Sequence, residues 1–331
     1  MGDVHLTLAC GNYDRTRALL DGTVKPEGID LTTIAVPTPE RMFRMIQNDE
    51  FDVCESSSAM FLAGFEAGRQ WIGLPVFPHR RFRHGYVLVN TEKGIERPED
   101  LRGKRMGIAV YTNSAAVWVR GFLQHDFGVA PEEITWITAA DEEVPEWEAP
   151  PGVRIERAPA GTRLQDWLVD GRIDAMMMPD LVEAFRDGSS SVRRLFPNFR
   201  EVEEDYFRRT GFFPIMHIII VRSAIIERYP WVGISMMKAF ERSKQICFDY
   251  FRDQRKSSLA FFGAAWEEQR ALMGPDAWPY TLERNRPTLE AMLEYAHEQG
   301  ITRRGFTVDE LFHPTTHTYD PIFDKTIWAD R

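Results

Sequence analysis

Arg97-Pro98-Glu99-Asp100-Leu101-Arg102-Gly103-Lys104-Arg105-Met106-Gly107-Ile108, followed by Tyr111-Thr112-Asn113-Ser114 and an apolar run, is the stretch on which the fold reading turns. Pro98 and the acidic pair open a short helix, Gly103 closes it, and 104–108 reads as a buried strand. Thr112, Asn113 and Ser114 then stand where the next helix begins. Free backbone N–H groups at a helix start favour an anion, so these three residues are expected to meet a ligand carboxylate at the mouth of a cleft.

The same alternation extends in both directions. Upstream, strands are expected at 4–9, 29–36 and 51–54, the first running through Gly11-Asn12-Tyr13-Asp14-Arg15 into a helix that ends at Leu20. A helix is expected at 39–48, a strand at 71–77, and an extended basic segment from His79 to Asn90. Downstream come the helix 114–127, the strand 134–138, an acidic, Pro-containing stretch 141–151, the strand 153–157, the helix 163–170 and the strand 173–178. Residues 213–221 form a further long strand, and 229–331 is mostly helical, with strong runs at 231–252 and 287–299. Such alternation predicts an α/β fold with mainly parallel sheets whose ligands collect at the carboxyl ends of the strands. Two lobes are expected, 1–84 with 218–331 and 85–217, joined by two crossing strands that act as a hinge. Lobes so joined usually close around a ligand between them.

Composition narrows the function. The chain has 331 residues, 44% of them hydrophobic and 27% charged, with a net charge of −10. That length suits about two domains, and the acidic balance argues against nucleic acid or an anionic membrane surface as partner. No apolar run approaches a membrane span, and Met1-Gly2-Asp3-Val4-His5 enters a strand pattern directly, so a cytoplasmic location is expected. Cys10, Cys54 and Cys247 are odd in number and far apart, as buried thiols would be. His313 and His317 are four apart, but Pro314 makes a loop of them and no further ligand completes a zinc set. There is no phosphate-binding glycine loop and no nucleophile triad.

Several motifs together carry a family resemblance: Tyr13-Asp14-Arg15-Thr16, Pro26-Glu27-Gly28-Ile29-Asp30-Leu31, Glu55 after the third strand, Phe82-Arg83-His84, Pro98 to Gly107, Ala116-Val117-Trp118-Val119-Arg120-Gly121, Pro214-Ile215-Met216-His217 and Tyr229-Pro230-Trp231. They span nearly the whole chain, which resembles the 4,5-dihydroxyphthalate decarboxylase family, a branch of the type II periplasmic-binding-protein fold. The Pro98 to Gly107 element belongs to many binding proteins. Phe82-Arg83-His84 together with Pro214 to His217 is far more particular to the decarboxylase branch.

The resemblance implies a non-oxidative, cofactor-independent carboxy-lyase that converts a hydroxylated aromatic dicarboxylate, 4,5-dihydroxyphthalate, to protocatechuate and CO2 by protonating the ring carbon that bears the departing carboxylate. Such chemistry needs an acid over that carbon and cations for the carboxylates. His84 and His217, placed on the two crossing strands, are expected to face each other across the cleft, one of them as proton donor. Glu55 is expected to orient that histidine or to take the phenol proton. Arg80, Arg83 and Arg120 are candidates for the carboxylates, since a guanidinium matches a carboxylate bidentately. Side chains alternate along a strand, so Arg80, Arg81 and Arg83 cannot all face one way. Ser57 and Asp14 are further candidate contacts, with helix capping as their competing role. No cofactor is expected, with a divalent metal at Glu55, His84 or His217 left open, and association into a homo-oligomer is left open too. The alternative function is a non-catalytic solute-binding protein for an aromatic or sulfonated acid.

Overall fold

The computed structural model describes residues 3–321; Met1 and Gly2 of the expected N-terminal entry, and 322–331 of the expected first lobe, lie outside the described residues. The strands are β1 (Val4–Ala9), β2 (Ile29–Ile34), β3 (Val53–Ser57), β4 (Trp71–Arg80), β5 (Val87–Asn90), β6 (Arg105–Ile108), β7 (Thr135–Thr138), β8 (Arg154–Arg157), β9 (Ala175–Met177), β10 (Val192–Arg194) and β11 (Ile215–Arg222). They form two sheets, ordered β2-β1-β3-β11-β4 and β10-β5-β9-β6-β7-β8. In the first sheet β1 runs parallel to β2 and β3, and β11 runs antiparallel between β3 and β4. In the second, β6, β7, β8 and β9 are parallel and β5 is antiparallel to both its neighbours. This is the two-lobed α/β architecture that the alternation predicts.

The opening stretch folds as read. Pro98–Leu101 makes a short 3-10 helix, Asp100 accepts from the Arg97 backbone N–H at 3.0 Å, and Gly103 turns the chain with φ of 74°. The helix Ser114–Phe127 follows, capped by the Asn113 side chain, which accepts from the Ala115 N–H at 2.8 Å, and ended by Gly128 in the left-handed region. The helices Ser58–Glu66 and Phe199–Thr210 escaped the periodicity reading, and Phe262–Met273 was covered only by the general expectation of helix over 229–331. The first is buried almost all round, the second buries only Tyr206 and the third buries nothing, so none carries a one-sided apolar stripe.

The two lobes are in direct contact in this structure. The helix Ser114–Phe127 of the second lobe packs on the C-terminal helix Leu282–Glu298, with the Trp118 ring edge-on to Tyr295 at 5.6 Å. Trp118 Nε1–H donates to the Ile215 carbonyl of β11 at 2.9 Å, and the Ser57 and Ser114 hydroxyls bond each other at 2.6 Å. A single buried cluster includes Cys54, Phe77 and Ile218 of the first sheet with Val89, Met106 and Ala175 of the second. Opening the lobes would expose this shared core, and burial of apolar area at roughly 25 cal/mol per Å² opposes that. Among the described residues no helix is long and apolar enough to cross a membrane.

Gly121 makes the interlobe helix contact possible. A Cβ built there would sit 2.1 Å from the Tyr295 ring. Alanine normally gains up to ~1 kcal/mol over glycine in a helix, but overpacking a rigid contact costs about 1–3 kcal/mol. Gly121→Ala should therefore destabilise the protein, by about 1 kcal/mol net in urea denaturation; a stabilised variant would show that this contact yields freely.

Candidate active site

Three neighbouring strands of the first sheet, from the central β3 to the edge strand β4, bring the reactive side chains together. In the β3-β11-β4 register His217 stands opposite Ser57 on one side and His79 on the other, while Glu55 stands opposite Ile219, two residues along. Directly opposed residues share a face of the sheet and lie about 5 Å apart, so Glu55, His217 and His79 project on one side as a row. Pro75 and Pro78 in β4 have no N–H to give to the ladder, and the β11–β4 pairing shifts register on both sides of His217. Bulges of this kind re-aim side chains.

Glu55 is fully buried and has donors on both carboxylate oxygens. Oε2 accepts from the Gly11 N–H at 2.7 Å and meets the Arg41 guanidinium at 2.8 Å; Oε1 accepts from the Tyr13 hydroxyl at 2.7 Å and from His217 Nδ1–H. Burial alone would raise its pKa, but the His217 imidazole, Arg41 and the Gly11 N–H outweigh that and hold the carboxyl well below the usual carboxylate range. Arg41 is itself buried and also donates to the Val36 carbonyl at 3.0 Å and the Glu55 carbonyl at 3.3 Å, so it clamps both ends of the residue. Gly11 is required here, because a Cβ would come within 2.6 Å of the Tyr13 ring.

His217 is 9% exposed, and burial depresses its imidazole despite the opposing pull of Glu55. Burial favours the neutral form of this imidazole, and the contact with the Glu55 carboxylate suits a proton on Nδ1. That assignment leaves Nε2 as an acceptor 3.5 Å from Nδ1 of His79, whose ring meets His217 edge-on at 4.5 Å. His79 is half-buried and is likewise depressed by burial, by His217 and by Arg83. Arg83 lies beside the row, buried, donating to the Met216 sulfur at 3.2 Å and the Pro179 carbonyl at 2.7 Å. Burial lowers its pKa to about 10, which leaves it cationic at neutral pH. Buried carboxylate, two neutral imidazoles and a cation together can move one proton beside a bound anion. The cavity of about 1140 Å³ lined by Asp3, His5, Gly28 and Trp231 lies at the amino ends of β1 and β2 and holds none of this chemistry.

The other expected site residues lie elsewhere or are already engaged. His84 does not face His217: it opens a short 3-10 helix, and its ring stacks on Phe122 at 4.1 Å with Phe196 and Tyr206 around it. The chain turns after Arg80, and that turn replaces the crossing strand on which the expectation rested. Arg80 points the opposite way from Arg83, donating to Asn285 between the Phe77 and Phe213 rings. Arg120 holds Gln299 at 2.7 Å and the Tyr111 carbonyl at 2.8 Å, so it ties helices together. The expected anion cradle is filled from within: the Glu142 carboxylate accepts from the Tyr111 N–H at 2.6 Å, the Thr112 N–H at 2.9 Å and the Thr112 hydroxyl at 2.6 Å. Asn113 caps its helix, Ser114 binds Ser57 and the Ala59 N–H, and Asp14 accepts from the Arg15 N–H at 2.7 Å. Ser57 also caps its own helix, at 3.5 Å from the Met60 N–H.

His79, Arg41 and Tyr13 were not among the expected site residues, although Tyr13 lies in a resemblance motif and His79 opens the basic segment. Arg41 left a signal, because it shares the apolar stripe of Met42, Met45 and Ile46, where a charge needs a buried partner. No such signal marked His79, whose role follows from strand pairing. Among the described residues no group of three His, Cys, Asp or Glu is arranged to hold a metal ion.

Comparison with known proteins bears on the family of the chain. Residues 22–146 match the NMT1/THI5-like family. The chain is 35% identical over 324 residues to the 4,5-dihydroxyphthalate decarboxylase of Comamonas testosteroni, covering 96% of this chain and 98% of that protein. It is 34% identical over 218 residues to the protein of the same name from Pseudomonas putida, covering 64% of this chain and 84% of that one. A solved structure described as the periplasmic sulfonate-binding protein of a Methylobacillus flagellatus transporter matches with a TM-score of 0.58 at 13% identity, covering 96% of this chain and 93% of that one, a likeness of fold alone.

The placement of His84 yields a stability prediction. Burial, aided by Arg209, lowers its pKa to about 3. Between its ordinary value near 6.5 and about 3, the unfolded chain binds a proton that the folded protein does not, so stability falls as pH drops through that window. His84→Phe should preserve turnover and restore about 2–3 kcal/mol of stability at pH 4, measured by urea denaturation against pH. Loss of turnover in a folded variant would return His84 to the site.

Proposed function

The chain belongs to the 4,5-dihydroxyphthalate decarboxylase family, and from that premise we propose that it is a carboxy-lyase that converts 4,5-dihydroxyphthalate to protocatechuate and CO2 at the Glu55–His217–His79 row. The observation that carries this reading is the ionised, fully buried Glu55 aligning one imidazole, which in turn meets a second, half-buried one.

Loss of CO2 from an aryl carboxylate consumes one proton. In this reading the substrate's anionic charge sits beside Arg83 and the two imidazoles, where it raises their proton affinity, and the row takes up a proton. The protonated imidazole then gives its proton to the ring carbon bearing the departing carboxylate, while the lone pair of the para hydroxyl oxygen moves into the ring. The C–CO2 bond breaks, and its electron pair restores the aromatic ring and the phenol. The imidazole is reprotonated from solvent. Glu55 has no exposed surface and acts as a positioning residue: it fixes the His217 tautomer and compensates the charge that passes through the row. Arg41 and the Gly11 N–H keep Glu55 ionised, and Arg83 supplies the fixed charge for the substrate's carboxylate.

Release of CO2 from a panel of hydroxyphthalates tests the reading. Binding without release would favour solute binding instead. His217→Asn and His79→Asn should each lower turnover by about 10²–10⁴ with little change in substrate binding. Because burial depresses both imidazoles, the reactive protonated form is scarce in the free enzyme at neutral pH. Wild-type kcat/KM should therefore rise as pH falls from 8 toward 6. Near-normal turnover in both variants, or a kcat/KM that rises with pH, contradicts the assignment.

A further inference from the structure

Arg81 and Asp180 stand next to the row without a part in the chemistry described above. The Arg81 Nη1–H donates to Asp180 at 3.1 Å, with the two side chains 38% and 78% exposed. The Arg81 backbone N–H is tied to the Pro214 carbonyl at 3.1 Å, so the residue is anchored to the segment that leads into β11. Arg81 and Arg83 both lie over the Tyr86 ring, at 5.3 and 5.1 Å from its centroid. One short segment after β9 therefore touches both cations: the Pro179 carbonyl accepts from Arg83 and the Asp180 carboxylate from Arg81.

These contacts differ in kind. The Arg83 bond is to a backbone carbonyl and is buried. The Arg81 bond is to an exposed carboxylate, and an exposed ion pair contributes little, about 0–1 kcal/mol, so another carboxylate can replace it at small cost. Two guanidinium groups over one aromatic ring, one of them paired with an exposed carboxylate, suit a ligand that brings two carboxylates of its own.

We infer that Arg81 is the specificity residue that binds the second, spectator carboxylate of an aromatic dicarboxylate, and that Asp180 occupies that position in the free protein and competes with the substrate for it. The inference rests on the carboxy-lyase reading for the substrate class. It makes Arg81 selective for dianions over monoanions and makes Asp180 a brake on their binding.

Calorimetric titration of the full chain with two non-reacting probes, phthalate and benzoate, tests it independently of turnover. The wild type should bind phthalate about tenfold or more tightly than benzoate. Arg81→Gln should lose about tenfold or more on phthalate and less than about threefold on benzoate. Asp180→Asn, which removes the competing charge, should tighten phthalate binding by about threefold or more and leave benzoate unchanged. Equal losses on both probes, no loss on phthalate, weaker or unchanged phthalate binding in Asp180→Asn, or a wild type without preference for phthalate would each overturn the inference. Wild-type CO2 release is read separately: absent release with the expected probe affinities sinks only the lyase reading, and normal release with Arg81→Gln indistinguishable from wild type sinks only the role of Arg81.

Discussion

One buried carboxylate organises the first sheet of this molecule. Glu55 sits with no exposed surface in the middle of a sheet, where an ion without partners could not persist. It persists because Gly11, Tyr13, Arg41 and His217 each direct a donor at it. Each of these has a structural reason to be where it is: Gly11 follows β1, Arg41 faces inward from its helix, and His217 arrives on the antiparallel β11. The central position of β11 between β3 and β4 then extends the row to His79. Without a return of the chain from the second lobe into the first sheet, the carboxylate and the imidazoles would have no common face.

The lobes also show how this fold separates holding from reacting. The helix start Tyr111 to Ser114 is where the fold offers backbone N–H groups to an anion, and here Glu142 takes them. The same helix is joined to the C-terminal helix through Gly121, Trp118 and Tyr295. In the proposed mechanism, anion recognition falls to the guanidinium groups beside the imidazoles. A site of side-chain cations, set against a carboxylate that stays charged, lets bound negative charge govern the protonation of the row.

Much of this architecture was legible in the sequence, and the reasons for the exceptions are physical. The helix Ser114–Phe127 has Asn113 before it and Gly128 after it, and such local signals fix its ends. Glu55 and His217 stand within β3 and β11; alternation found both strands but ended the first at residue 54, just before Glu55. That the two touch is a matter of register between β3 and β11, residues 162 apart. His79 was passed over for the same reason, and His84 was misplaced because the chain turns at residues 81–86 instead of continuing extended. Thr112 was a sound anion site by local chemistry; its occupant lies 30 residues along in an irregular stretch that no periodicity describes.

In the proposed mechanism a neutral, Glu55-anchored imidazole row gains one proton when a dicarboxylate binds. Nitrogen-15 NMR of the histidine rings, recorded near pH 7 without and with saturating phthalate, measures this directly. In the free protein His217 should be neutral with its proton on Nδ1, held in a strong hydrogen bond, and His79 should be neutral as well. On saturation one of the two rings should become doubly protonated. A His217 protonated on Nε2 or on both nitrogens in the free protein, or rings whose protonation does not change when phthalate binds, would contradict the account.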